Sequence, residues 1–118
     1  MNRFKELLVW QKAISLTTKV YQLTSGFPKH EIYGITSQLT RSAVSIPSNI
    51  AEGAGRNSGN EFYQFLGIAI GSCFELETQL IIAKNIGLIS KDEDFVNLQE
   101  EIISIQNMLI KLQKSLKK

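Results

Sequence analysis

From Phe95 onward the chain repeats apolar residues in alternating steps of three and four: Phe95, Leu98, Ile102, Ile105, Leu109, Leu112 and Leu116. Three heptads of this spacing draw one stripe along an α-helix, whereas a strand would alternate every second residue. A long helix with one apolar stripe must bury it against something, and no strand pattern is present elsewhere to receive it. The rest of the chain therefore has to supply further helices. With 118 residues and 43% hydrophobic content it has enough material for one domain, residues 1–118, with a core that needs no disulfide or metal. Two prolines and eight glycines leave room for long helices.

Three more helices are legible. The first is predicted over residues 7–25, with Trp10, Ile14, Thr17, Tyr21 and Thr24 as its core face and Ala13 and Val20 widening it. Gly26 and Pro28 stop it. Lys5, Lys12 and Lys19 form a solvated basic stripe. In the connector, residues 27–34, Phe27, Ile32 and Tyr33 are expected to plug the end of the core, and His30 to be an exposed loop residue. The second helix is predicted over residues 35–53, with Ile35, Leu39, Ala43, Ile46 and Ile50 inward. Pro47 cannot donate to the Ala43 carbonyl, so a kink is expected; the competing reading ends the helix at Ile46. The third helix, residues 59–85, opens on a Ser58–Glu61 capping box and carries Phe62, Phe65, Leu66, Ala69, Cys73, Leu76, Leu80 and Ala83 on its core stripe. A second capping box, Ser90–Glu93, opens the fourth helix, and Lys111, Lys114, Lys117 and Lys118 close it. The expected fold is all-α, an antiparallel up-down-up-down four-helix bundle with a proline-kinked second helix.

Two constellations exceed what a bundle core requires. One is a polar line on the second helix: Gln38, Arg41, Ser42, Ser45, Asn49 and Glu52, with Arg56 just beyond. It is read as a structural network bonded to Glu75, Thr78 or Gln79 of the third helix, because buried polar groups need partners. The functional alternative turns Arg41, Asn49 and Arg56 toward a ligand or an RNA backbone. The other is surplus apolar surface: Ile68, Ile70, Phe74, Ile81 and Ile82 on the third helix, and Val96, Ile103 and Ile110 at heptad spacing on the fourth. Gly67 and Gly71 form a GxxxG, which permits close backbone approach and serves packing within the bundle equally well. The surplus points to an oligomer interface, and a merely wide core face is its alternative.

Chemistry is sparse. The single Cys73 lies on a core stripe and has no histidine placed to activate it. Glu52, Glu75 and Glu77 do not form the Glu and Glu-x-x-His pattern of a di-metal bundle site, and no metal or cofactor is expected. The GAGRNSG segment, residues 53–59, has the composition of a phosphate loop without the preceding strand or the following Lys-Ser/Thr. A net charge of +2 does not by itself predict a nucleic-acid partner. No apolar run approaches the roughly 20 residues of a membrane span. One cysteine and no signal-peptide pattern make a reducing, cytoplasmic location the expectation.

Four segments together carry a family likeness: LxVWQKA over residues 7–13, FPxxExYGxxxQL over 27–39, SIPSNIAEG over 45–53 and FLxIAxGSxxELETQL over 65–80. The chain resembles, over nearly its whole length, the four-helix-bundle proteins encoded in intervening sequences of bacterial 23S rRNA genes, also labelled S23 ribosomal protein. The resemblance implies an antiparallel bundle, a ring-like homo-oligomer that is a pentamer in known members, an association with rRNA gene insertions, and no catalytic residue. The resulting expectation is a non-enzymatic homo-oligomeric scaffold, with RNA binding, to rRNA or its insertion, as the alternative.

Overall fold

The computed structural model describes residues 3–116, so Lys117 and Lys118 of the expected basic end lie outside the described residues. Four α-helices form: α1 (Leu8–Thr24), α2 (Ile35–Ala54), α3 (Gly59–Asn85) and α4 (Asp92–Ser115). Single 3-10 turns, Phe4–Glu6 and Lys29–Glu31, precede α1 and α2. Each helix packs against two others in the cycle α1, α2, α3, α4, and the fold is a four-helix bundle. Pairings run in opposite sequence order: Ser42 with Gln79 and Ser45 with Ser72 between α2 and α3, Glu77 with Gln106 and Tyr63 with Gln113 between α3 and α4. That is the order of antiparallel neighbours, which the short connections require.

Every residue expected on the inner face of α2 is buried, as are Leu66, Ala69, Cys73, Leu76, Leu80 and Ala83 of α3 and Leu98, Ile102, Ile105 and Leu109 of α4. Helix α1 departs from expectation. Its buried line is Val9, Ala13, Leu16, Val20 and Thr24, while Ile14 and Tyr21 are exposed. Ala13, Val20 and Thr24 are inward as expected, but Val9 and Leu16, one residue or about 100° round the helix from Trp10 and Thr17, complete the buried line. Large side chains on the flank gave the wrong line the greater apolar weight.

Helix α2 runs unbroken through Pro47, so the reading that ended it at Ile46 is set aside. The carbonyl that Pro47 cannot serve, that of Ala43, accepts instead from the Thr17 hydroxyl of α1 at 3.1 Å. The same hydroxyl lies 2.7 Å from its own Ala13 carbonyl, so its proton is shared between two helices.

Three local expectations need correction. Phe27 is buried, but Ile32 and Tyr33 face solvent, because the 3-10 turn carries the chain outward before α2 begins. The Ser58–Glu61 cap forms, with the Glu61 amide donating to Ser58 Oγ at 3.2 Å, but the Ser90–Glu93 box does not. Burial of Ile89 fixes where the chain enters α4, and Lys91 takes the N-cap position. Asp92 in the first turn pairs with Lys84, whose hydrogen bond and charge hold its carboxyl below the ordinary value. Finally, α3 is long and apolar enough to cross a membrane by length and composition alone, contrary to the expectation from apolar runs. It carries core residues on one side and exposed residues, Ile68, Phe74 and Ile82 among them, on the other, and only a third of its most apolar window is buried in the bundle.

Candidate functional site

The polar line on α2 divides into an inner and an outer part. Helical spacing turns Ser42, Ser45 and Asn49 toward α3, where small residues allow the two backbones to come close. The Ser42 hydroxyl donates to Gln79 Oε1 at 2.7 Å, and the Ser45 and Ser72 hydroxyls lie 2.8 Å apart. Asn49 Nδ2 donates to the Ser45 carbonyl at 2.8 Å and to Ser45 Oγ at 2.9 Å. Ser72 is the partner that sequence reasoning missed. Thr78 turns back to its own Phe74 carbonyl, and Glu75 takes no part. Ser72 left a signal all the same: it sits between two core positions, Ala69 and Leu76, on the side that faces α2. Among the described residues no buried side-chain nitrogen or oxygen lacks a partner.

The seam tightens toward the turn into α3. A Cβ on Gly53 would lie 2.7 Å from Phe65 Cβ and 2.9 Å from Phe62 Cδ1, so only glycine fits there. Arg56 closes this end. Its guanidinium pairs with Glu52 at 2.8 Å and Glu61 at 3.7 Å and lies 4.9 Å over the Phe65 ring. Glu52 and Arg56 therefore form a local clamp, separate from the inner network.

Gln38 and Arg41, the outer part, are exposed. With Tyr33, Ser37, Ser42, Ser45, Glu75 and Gln79 they line an open groove of about 410 Å³ between α2 and α3. Among the described residues Arg41 has no carboxylate within ion-pair distance, unlike Lys19, which pairs with Glu101 at 2.9 Å. The structure thus brings Ser45 and Asn49 together, joins Glu52 to Arg56, and leaves Gln38 and Arg41 open.

The surplus apolar residues fall on the outside of α3 and α4, except Ile70, which is partly buried and packs against the core. Ile68 and Phe74 are each 52% exposed, Ile82 44%, Val96 44% and Ile103 40%; Ile110 is half-buried. The GxxxG glycines do not act as a pair within the bundle. A Cβ on Gly67 would meet Gln113 Nε2 at 3.3 Å, whereas one on Gly71 would meet nothing within 4 Å.

Conventional chemistry is thin here. Cys73 is a free thiol pushed up to about 12 by burial and, secondarily, by the charge of Glu77, so it stays protonated at neutral pH. His30 is exposed beside Glu31. Among the described residues no group of three or more His, Cys, Asp or Glu side chains is placed to hold a metal ion.

A solved structure of a protein with unknown function from the S23 ribosomal protein family of Bacteroides thetaiotaomicron superposes with a TM-score of 0.81. It covers 91% of this chain and 99% of its own, at 23% identity, and shows the same fold. No curated protein matches. The family model described as 23S rRNA-intervening sequence protein matches residues 5–111. With its bundle, its SIPSNIAEG seam and that match over nearly all of its length, the chain belongs to the 23S rRNA-intervening sequence protein family.

Proposed function

We propose that the chain is a non-enzymatic helical scaffold that assembles with copies of itself through the outer faces of α3 and α4. The observation that carries this reading is the uncharged first half of α3, which ends at the exposed Glu75. From Phe62 to Phe74 the helix has no charged residue, yet Ile68 and Phe74 are half exposed. Monomeric proteins rarely leave so continuous an apolar strip in water. Val96 and Ile103 add exposed apolar area on α4, with Ile110 half-buried, and Gly71 leaves open space on α3. The pentamer implied by the family resemblance is the assembly we assign to it. The absence of catalysis is supported by the protonated, buried state of Cys73 and by the distance in sequence and surface position of His30. A single reduced thiol also suits the cytoplasm, the location we propose.

Light scattering of the wild type at micromolar concentration is the test. A multiple of the 13.3 kDa chain mass is expected, and a monomer removes the proposal. Ile103→Asp and Phe74→Glu should each release monomers whose circular dichroism remains helical.

A second reading, RNA binding, has its own support. The family is named for sequences that interrupt 23S rRNA, and Lys5, Lys12 and Arg41 are exposed cations without a carboxylate partner among the described residues. Repetition of a weak patch around an oligomer multiplies its effect. Affinity for an rRNA fragment must then fall steeply with salt. Binding that is absent, or indifferent to salt, removes this reading and leaves the scaffold intact.

A further inference from the structure

We propose that the groove at the start of α2 is a contact site for unpaired RNA nucleotides, with a base stacked on Tyr33 and the adjoining phosphate held by Arg41. The inference rests on the RNA reading above and gives it a location.

Two grooves meet at Tyr33 and Ser37. One, about 410 Å³, is walled by Gln38, Arg41, Glu75 and Gln79. The other, about 500 Å³, is walled by Tyr21, Phe27, Pro28, Lys29 and Ile32. Both volumes fall in the range that accepts small ligands. Tyr33 stands on the ridge between them and is 95% exposed, so its ring serves no packing purpose in the fold. Tyr21, at 52%, offers a second ring across the apolar groove. An aromatic face open to water is the element that single-stranded nucleic acid uses for stacking, and stacking tolerates any base.

The charges complement such a ligand. Ser37 and Arg41 lie one turn apart on α2, and Tyr33, just ahead of the helix, lines the same groove. Arg41 is exposed and carries no ion pair among the described residues, so its planar fork is available for a phosphate. Lys29 supplies a second cation in the apolar groove. Two carboxylates are nearby. Glu31 lies 3.5 Å from the exposed His30 ring, in the apolar groove's connector rather than in the groove that holds Arg41. Glu75, across the polar groove, offers acceptors to the N–H edge of a base, and Gln79, whose Oε1 is occupied by Ser42, keeps its amide hydrogens for the acceptor edge. A base entering between them finds both kinds of partner.

The test is fluorescence anisotropy with a labelled single-stranded oligouridylate and, separately, a fully paired RNA hairpin. Tyr33→Ala should weaken single-strand binding about tenfold without changing the salt slope, and Tyr33→Phe should restore it. Arg41→Gln should weaken binding and lower the salt slope by about one. Single-strand affinity of Tyr33→Ala within twofold of wild type overturns the site, as does a changed oligomer mass for that variant, which would make Tyr33 a subunit contact. Wild-type binding to the hairpin alone also overturns the site but leaves the RNA reading standing. No binding of either probe up to about 100 µM protein, the weak end of non-specific affinity, overturns both.

Discussion

Helix α3 presents two faces that obey opposite rules. Toward α2 it offers Ser72 and Gln79, and each finds a partner on the facing helix; the α2 backbone at Gly53 comes so near that no Cβ fits. Away from that seam the same helix shows Phe74 to water, with Ile68 and Ile82 exposed along the seam's outer edge and a glycine, Gly71, that has empty space beside it. Small residues therefore mean different things on the two faces. Inside they are a condition of packing already met. Outside they mark room that the single chain does not fill. The contrast separates what one chain needs in order to fold from what its surface offers to another molecule.

Gly53→Ala should break the inner face most severely. The added methyl meets the β-carbon of Phe65, which cannot swing away, so a loss of about 1–3 kcal/mol in urea unfolding is expected. That loss should appear despite the roughly 1 kcal/mol that alanine normally gains over glycine in a helix. A neutral result would mean that the seam is loose. Next in size, Thr17→Val should cost about 1 kcal/mol by leaving the buried Ala43 carbonyl without its donor. The loss should shrink when Pro47→Ala restores an amide to that carbonyl, which a double-mutant cycle would read directly.

On the outer face Gly71→Ala should do the reverse of Gly53→Ala. With nothing within 4 Å to obstruct it, the methyl should stabilise the folded chain by up to about 1 kcal/mol. If a second copy approaches there, light scattering should show weaker assembly in the same variant. The smallest effect belongs to the α3–α4 turn. Asp92 is held below its ordinary value by Lys84, so its stabilising contribution is present above the unfolded pKa and fades as pH falls through the folded one. Wild type and Lys84→Met should therefore differ in thermal midpoint near neutrality and converge as the pH falls through the folded-state pKa of Asp92. The pair is exposed, and the difference should be slight.

Much of the core could be read directly from spacing. On α2, α3 and α4 aliphatic residues recur on one clear line, and the Ser58 cap marks the start of α3 unambiguously. On α1 the signal was split, because Trp10, Ile14 and Tyr21 are large but sit beside the true line of Val9, Ala13, Leu16 and Val20. Apolar size is visible in sequence; the direction in which a neighbouring helix lies is not. The polar line behaved similarly. Spacing grouped Gln38, Arg41, Ser45, Asn49 and Glu52, but only the depth of the α2–α3 contact decides which of them are enclosed. Asn49 and Ser45 are drawn in, whereas Arg41, one turn earlier than Ser45, remains in water. Tyr33 was misplaced for a related reason, since an aromatic residue in a connector looks like a core plug until the turn that carries it is known.

The Thr17 hydroxyl also bears on modularity. A helix whose backbone ladder is completed by a donor from another helix is not a self-sufficient cassette. If residues 35–54 were excised, or grafted behind a different first helix, the Ala43 carbonyl would lose that donor even with every residue of α2 unchanged. Threonine at 17 and proline at 47 are thus a matched pair across thirty residues of chain, and a chimaera that exchanges the N-terminal helix must carry both or neither.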